Sequence, residues 1–206
     1  TLGIPSLGGS DIEPGPVERE LIDRQVAMYD TATIEELAQA RLATAATNEE
    51  RRQFYANYQR SLRERGPAFH RMFQQRLRQQ GWADYDRRLA LDIGCGSGSG
   101  LLALAREFGH VVGLDISLSS LIIAKKVLAA EGVNNVTLIH ASAHHLPLLS
   151  DAFDYAMSIN VLEHIFTPET MLREVRRVLA PRGVFGGDSR NRFDPFFKEP
   201  HVGIRW

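Results

Sequence analysis

The chain is poor in the residues that mark several whole classes of protein. Cys95 is the single cysteine in 206 residues, so no disulfide can form within the chain. That usage fits a reducing, cytoplasmic setting. No apolar run approaches the roughly 18–20 residues of a membrane span, and the first residues lack a basic-then-apolar leader pattern. There is no internal repeat and no low-complexity tract. Lysine is scarce, with three among 24 basic residues, so arginine carries nearly all the positive charge. Collagenous, disordered, disulfide-rich and membrane-spanning classes are excluded. The 44% hydrophobic and 24% charged content is that of a globular domain. Its length allows one domain with a real core plus a helical extension.

The formal charge of −1 conceals two opposed blocks. Residues 1–50 hold three arginines against ten carboxylates, and residues 51–88 hold ten arginines against three. The blocks could pair, or the basic one could face an anionic partner. Aromatic residues in the basic block fall at core spacing instead of interleaving with the charges. Solvated helix faces are therefore favoured over a nucleic-acid surface. Residues 1–16, rich in Gly, Pro and Ser, read as a flexible arm. A helical segment follows over 17–87. Thr33 with Glu36 and Thr47 with Glu50 have capping-box spacing. Phe54, Tyr58 and Leu62 form one apolar stripe, and Phe69, Met72, Phe73 and Leu77 a second. Gly66-Pro67 predicts a break, with a helix restarting at Pro67.

From about Arg88 short apolar runs alternate with helical stretches. Strands are predicted at 89–93, 111–115, 136–140, 153–159 and 183–188. Helices are predicted at 99–108, 118–131 and 168–179. This alternation predicts an α/β, doubly wound, mostly parallel sheet over 88–206, preceded by the helical segment. Ligands of such sheets sit beyond the carboxyl ends of the strands, so those ends carry the candidate site. Leu91-Asp92-Ile93-Gly94-Cys95-Gly96-Ser97-Gly98-Ser99-Gly100 runs from strand into a glycine-rich turn. Glycine there permits positive φ and close ligand approach, and amides at a following helix start would favour an anionic group. Asp115 stands 19 positions after Gly96, at the end of the second predicted strand. Its carboxylate can accept from ribose hydroxyls, or it can cap the next helix, a task open also to Ser117.

A nicotinamide dinucleotide and S-adenosyl-L-methionine satisfy those two features almost equally. Ser99 replaces the third glycine of a dinucleotide turn, and Asp92 would oppose a pyrophosphate while favouring a positively charged sulfur. With this Asp-x-Gly-x-Gly-x-Gly arrangement the chain resembles the class I S-adenosylmethionine-dependent methyltransferases. Three further stretches extend the resemblance: His144–Leu148 with Asp151–Tyr155, Asn160–Ile165, and Arg173–Gly183. It implies a Rossmann-like fold and S-adenosyl-L-methionine as cofactor. Gly94, Cys95 and Gly96 would then line the methionine part. Asp115 and Ile116 would meet the ribose side, Ser142 and Ala143 the adenine, and Asn160 the methionine again. Ser142 departs from the acid many relatives carry there, and His144 could share its task.

The resemblance further implies methyl transfer, expected at oxygen, to a small-molecule or carbohydrate-containing acceptor. His164 is the first candidate for a base, followed by His144, His145 and His201. Glu163, His164 and His201 are donors of the kind some related enzymes use for a metal. Arg190 and Arg192 could hold an anionic acceptor. The leading helices, with Tyr55, Tyr58 and Phe69, would form a lid. Relatives of this family end in a sixth and seventh strand, for which 206 residues leave too little chain. Two rivals stand beside this reading: a nicotinamide-dependent oxidoreductase, and a non-catalytic module of the same fold.

Overall fold

The computed structural model describes residues 2–8, 12–42, 46–79, 81 and 86–187. Five strands, β1 (Leu89–Ile93), β2 (His110–Asp115), β3 (Val136–His140), β4 (Phe153–Ser158) and β5 (Leu179–Gly187), form one sheet in the order β3-β2-β1-β4-β5. Every pairing is parallel. Parallel strands buried on both faces must be apolar almost throughout, and β1, β2 and β4 are buried along nearly their whole length. The chain winds outward from β1 to β3, then returns to place β4 on the other side of β1. That reversal opens a crevice at the carboxyl ends of the strands.

Each face has its own core. On one face Ala90, Val111, Tyr155 and Met157 pack against Leu101, Leu104, Leu121 and Ile122. These last four come from α5 (Leu101–Leu104) and α6 (Leu118–Ala130). On the other face Leu91, Ile93 and Ala156 pack against Met171, Val175 and Val178 of α7 (Pro168–Val178). The strands fall close to their predicted spans. α5 is shorter than the predicted 99–108, because two sheet-side partners draw off its carbonyls and amides. The Asn135 side-chain amide donates to the carbonyls of Ala105 and Phe108. The Gly109 amide donates to Arg87 in place of Ala105. β5 begins four residues before the predicted start, with a register shift opposite Phe153 and Tyr155 and a left-handed Arg182 at φ +71°. Asp188, the predicted last residue of that strand, lies outside the described residues.

The leading segment forms α1 (Pro16–Met28), α2 (Ile34–Gln39), α3 (Asn48–Arg60) and α4 (Gly66–Gln79), with a π-helical turn over Ser61–Arg65. Both capping boxes form as their spacing predicts. The break predicted at Gly66-Pro67 does not occur. A proline ring collides with the carbonyl four residues earlier in a regular α-helix. The wider turn, in which the Gly66 amide donates five residues back to Ser61, carries the helix through without that collision. Gly66 is also where α4 meets the glycine-rich turn, since a Cβ there would stand 1.8 Å from the Ser99 carbonyl oxygen.

α4 is part of the layer covering the sheet. Phe73 lies 6.3 Å from the Tyr155 ring and fills the space a side chain at Gly186 would need. Phe69, expected on a lid, packs with it against the same core. Met72 departs from the predicted stripe and is 42% exposed. The first residues also depart from their expectation as a flexible arm. Residues 5–7 run parallel to the end of β3, where His140 donates its amide to Pro5 and its carbonyl accepts from Leu7. Ile4 is buried in the core beside them, and Lys125 Nζ donates to the Leu2 carbonyl.

Candidate active site

A cleft of about 300 Å³ opens at the carboxyl ends of β1 to β4. Its wall includes Gly94 after β1, Asp115 and Ile116 after β2, Ser142, Ala143 and His144 after β3, and Asn160 and His164 after β4. The topology thus gathers seven of the ten residues singled out in the sequence: Gly94, Asp115, Ile116, Ser142, Ala143, Asn160 and His164. Asp92, Cys95 and Gly96 do not line it, and each has a different reason.

Gly96 belongs to the turn beneath the cleft. Its φ is +53°, and a Cβ added there would meet nothing within 4 Å. The turn is held by its own amides. Gly94 and Cys95 donate to the Leu114 carbonyl at 2.7 and 3.0 Å, Gly96 donates to Asp115 Oδ2 at 2.7 Å, and Gly98 donates back to Cys95. These four amides are engaged within the turn, and α5 starts only at Leu101. What the turn offers a ligand is close approach to backbone. Gly94, at φ +71°, makes a second close approach possible. A Cβ there would come within 2.2 Å of Val161, so its absence lets the segment after β4 fold over the tip of β1.

Asp115 ties this turn to the start of α6. Its Oδ1 accepts the Ser117 amide at 2.8 Å while Oδ2 takes Gly96. Burial raises its pKa against the lowering effect of both amides. The helix cap itself falls to Ser117, whose hydroxyl accepts from the Ser120 amide. Asp115 is thus free of the capping task and keeps unused lone pairs on both oxygens. Asp92 lies deeper, 2% exposed, close against Gly100 and Met157. Burial, and secondarily the charge of Asp115, push its carboxyl up to about 7. The Cys95 sulfur is buried against Gly113, and burial pushes its thiol well up, so it is an inert packing group.

Ser142 is buried and accepts the His144 amide at 3.2 Å, shaping the loop after β3. The Nε2 atom of His144 is buried with no hydrogen-bond partner among the described residues. Two residues that sequence reasoning passed over as functional hold this loop. Arg177 of α7 donates to the carbonyls of Leu146 and Leu148, each at 2.8 Å, and pairs with Glu174 at 2.7 Å. Glu174 accepts the Leu146 amide in turn, and Arg177 holds its carboxyl below the ordinary range. The only sequence signal was their i, i+3 spacing.

His164 ends a short 3₁₀ turn, Leu162–His164, and is exposed at the cleft wall beside Asn160. Asn160 has a left-handed backbone at φ +54°, a strained conformation tolerated best by glycine and asparagine. No group of three or more His, Cys, Asp or Glu among the described residues could hold a metal. His201, Arg190 and Arg192 lie outside the described residues. His145 is exposed and does not line the cleft.

Residues 91–186 match a family model described as a methyltransferase domain. This region resembles the class I S-adenosylmethionine-dependent methyltransferases. Demethylmenaquinone methyltransferases of Geobacillus stearothermophilus and Bacillus subtilis are 37% and 34% identical to the chain over 98 and 97 residues. Each alignment covers 46% of this chain and 42% of the relative, so the chain spans less than half of those proteins. Among solved structures, the YcgJ protein of Bacillus subtilis is 27% identical with a TM-score of 0.50, covering 56% of this chain and 49% of its own. A Methanococcus maripaludis protein assigned as an S-adenosyl-L-methionine-dependent methyltransferase shares the fold, with a TM-score of 0.56 at 20% identity. That alignment covers 71% of this chain and 67% of the other.

The cofactor of this methyltransferase family is S-adenosyl-L-methionine, and the cleft fits it. A carboxylate with spare lone pairs stands at the tip of β2. Open space lies over Gly96. Apolar surface is provided by Leu114, Ile116, Ala141 and Ala143, with Ile116 53% exposed. The partnerless His144 Nε2 gives a further polar contact within the same wall.

Proposed function

We propose that the chain catalyses methyl transfer from S-adenosyl-L-methionine to a small-molecule acceptor, with the described cleft as its cofactor site. The observation that carries this is the pairing of Asp115, with spare lone pairs at the tip of β2, with open backbone approach over Gly96. An adenosyl sulfonium needs a ribose acceptor and close backbone approach, and a dinucleotide pyrophosphate would be opposed by Asp92. In this assignment Asp115 accepts from the ribose hydroxyls beside Ile116. Ser142, Ala143 and His144 meet the adenine. Gly94, Gly96 and Asn160 border the methionine part, with Cys95 and Asp92 buried beneath the turn.

When bound, the cofactor supplies the activated methyl group and its own leaving group. The protein then has to align acceptor and methyl, a contribution of about 7–11 kcal/mol when alignment is good. His164, exposed at the cleft wall, is assigned as the base that takes the proton from an acceptor hydroxyl. Oxygen methylation of a small or carbohydrate-containing acceptor is the primary reading. Relatives named demethylmenaquinone methyltransferases support a second acceptor class, a quinone, and the apolar residues Ile116, Ile165 and fully exposed Phe166 on and beside the cleft wall favour it. A cytoplasmic location is inferred from the cysteine usage; no helix of the described residues is long and apolar enough to cross a membrane.

Calorimetric titration with S-adenosylhomocysteine and NADH tests the cofactor. Saturable binding of the first alone is expected, and binding of NADH alone would overturn the assignment. Transfer of a labelled methyl group to hydroxylated sugars, phenols and short-chain quinones separates the acceptor classes. Under single-turnover conditions with saturating cofactor, His164→Ala should lower the transfer rate. An unchanged rate removes His164 as base.

A further inference from the structure

His140, at the end of β3, connects the leading segment to the cofactor wall through its ring. The ring is buried, with 3% of the residue exposed, and both nitrogens are engaged. Nε2 lies 2.9 Å from the Ile116 carbonyl oxygen, and Nδ1 lies 2.8 Å from the Ser6 hydroxyl. A carbonyl can only accept, so Nε2 carries the hydrogen. In the neutral ring Nδ1 is then an acceptor, and the Ser6 hydroxyl donates to it. The Ile116 carbonyl thereby sets the tautomer, and the Ser6 hydroxyl anchors the other edge of the ring. Ile116 sits between Asp115, which holds Gly96, and Ser117, whose amide Asp115 also holds. The backbone at this point is therefore fixed from three sides. Its third restraint comes from His140, whose ring is in turn held by Ser6, 134 positions away from it in sequence.

We propose that Ser6 and His140 are positioning residues for the adenosyl side of the cofactor cleft. Ser6 anchors the imidazole ring through Nδ1, and His140 holds the Asp115–Ser117 backbone in the geometry that presents the Asp115 carboxylate and the Ile116 side chain to the ligand. The proposal rests on the cofactor assignment for its functional consequence, but its structural core does not. The segment 5–7 is held on β3 by two backbone hydrogen bonds independent of the Ser6 side chain. Removing the hydroxyl therefore frees the Nδ1 edge of the ring without undocking the segment.

The test compares Ser6→Ala and Ser6→Thr with the wild-type chain, using two readouts. Amide hydrogen exchange in the ligand-free protein should accelerate at least threefold at Gly96 and Ser117 in Ser6→Ala, with Leu7 and His140 amides unchanged. Titration with S-adenosylhomocysteine should show a three- to tenfold weaker Kd, with kcat at saturating cofactor close to wild type. Ser6→Thr, which keeps the hydroxyl, should restore both. Exchange at Gly96 and Ser117 unaffected by Ser6→Ala overturns the proposal. So does equal acceleration across the whole sheet, which marks a general loss of stability. A wild-type protein that binds no S-adenosylhomocysteine would sink the cofactor assignment instead, while the exchange data still decide whether Ser6 and His140 position this backbone.

Discussion

At Asp115 two tasks share one carboxylate, the internal hold on Gly96 and Ser117 and the proposed hold on a ribose. Hydrogen bonds to a charged acceptor contribute about 1.5–3 kcal/mol each. Asp115→Asn should therefore weaken S-adenosylhomocysteine binding by about 10- to 100-fold in calorimetry, and affinity within twofold of wild type would remove Asp115 from the site. Asp92 makes a different prediction, about pH. Its carboxyl has a folded pKa of about 7 against an ordinary 3.8. A carboxyl raised on folding binds more protons in the folded state, so its contribution is fully present below about pH 4 and is lost as pH rises toward 7. Asp92→Asn cannot ionise. Its melting temperature relative to wild type should climb between pH 4 and pH 8 in the ligand-free protein, and a difference independent of pH would contradict the burial argument. Most of these residues were legible in the sequence, because an acid or glycine at the end of an apolar run is conspicuous. What was not legible is the state of the backbone around them. That the amides of Gly94, Cys95 and Gly96 are already spent depends on how β1 and β2 are registered.

Among the elements, α7 does more than cover one sheet face. Its Glu174–Arg177 pair holds the loop after β3 through one amide and two carbonyls. Arg177→Ala leaves both carbonyls without that partner and should cost about 1–3 kcal/mol. Chemical denaturation reads that cost. Hydrogen exchange should also speed up over residues 146–150, and S-adenosylhomocysteine affinity should fall, because the same loop carries Ser142 to His144. Arg176→Ala, an exposed neighbour on the same helix, is the control and should change stability by less than about 0.5 kcal/mol. If both variants behave alike, α7 holds the loop by packing alone. Apolar runs gave the strands away because a parallel sheet buries both faces. Element ends were harder to read. Leu179 closes the predicted helix 168–179 in sequence yet pairs with Phe153 of β4. Pro67 reads as a break, but a π turn over Ser61–Arg65 carries the helix past it.

For the molecule as a whole, the decisive feature is how the leading 79 residues complete the sheet. Capping boxes and amphipathic stripes mark helices over 17–87, but they do not say which surface those helices cover. In the structure Phe69, Phe73 and Leu77 of α4 join Tyr155, Phe108 and Leu104 in one core. Tyr58 of α3 reaches the Ser97 carbonyl, and burial raises its phenol pKa. α1 and α2 lie against α6, with Leu37 and Ala38 packed on Ile123 and Val127. A lid that merely closes over a cofactor could be removed without loss of the fold, whereas a layer of the core could not. A chain beginning at Asp86 would expose the apolar face formed by Tyr155, Phe108 and Leu101, a patch of the kind that drives association. Such a chain is expected to bind hydrophobic dyes, to sediment as aggregate and to show no cooperative thermal transition. A truncated chain that melts cooperatively within about 5 °C of the full one would restore the lid reading and displace the layer.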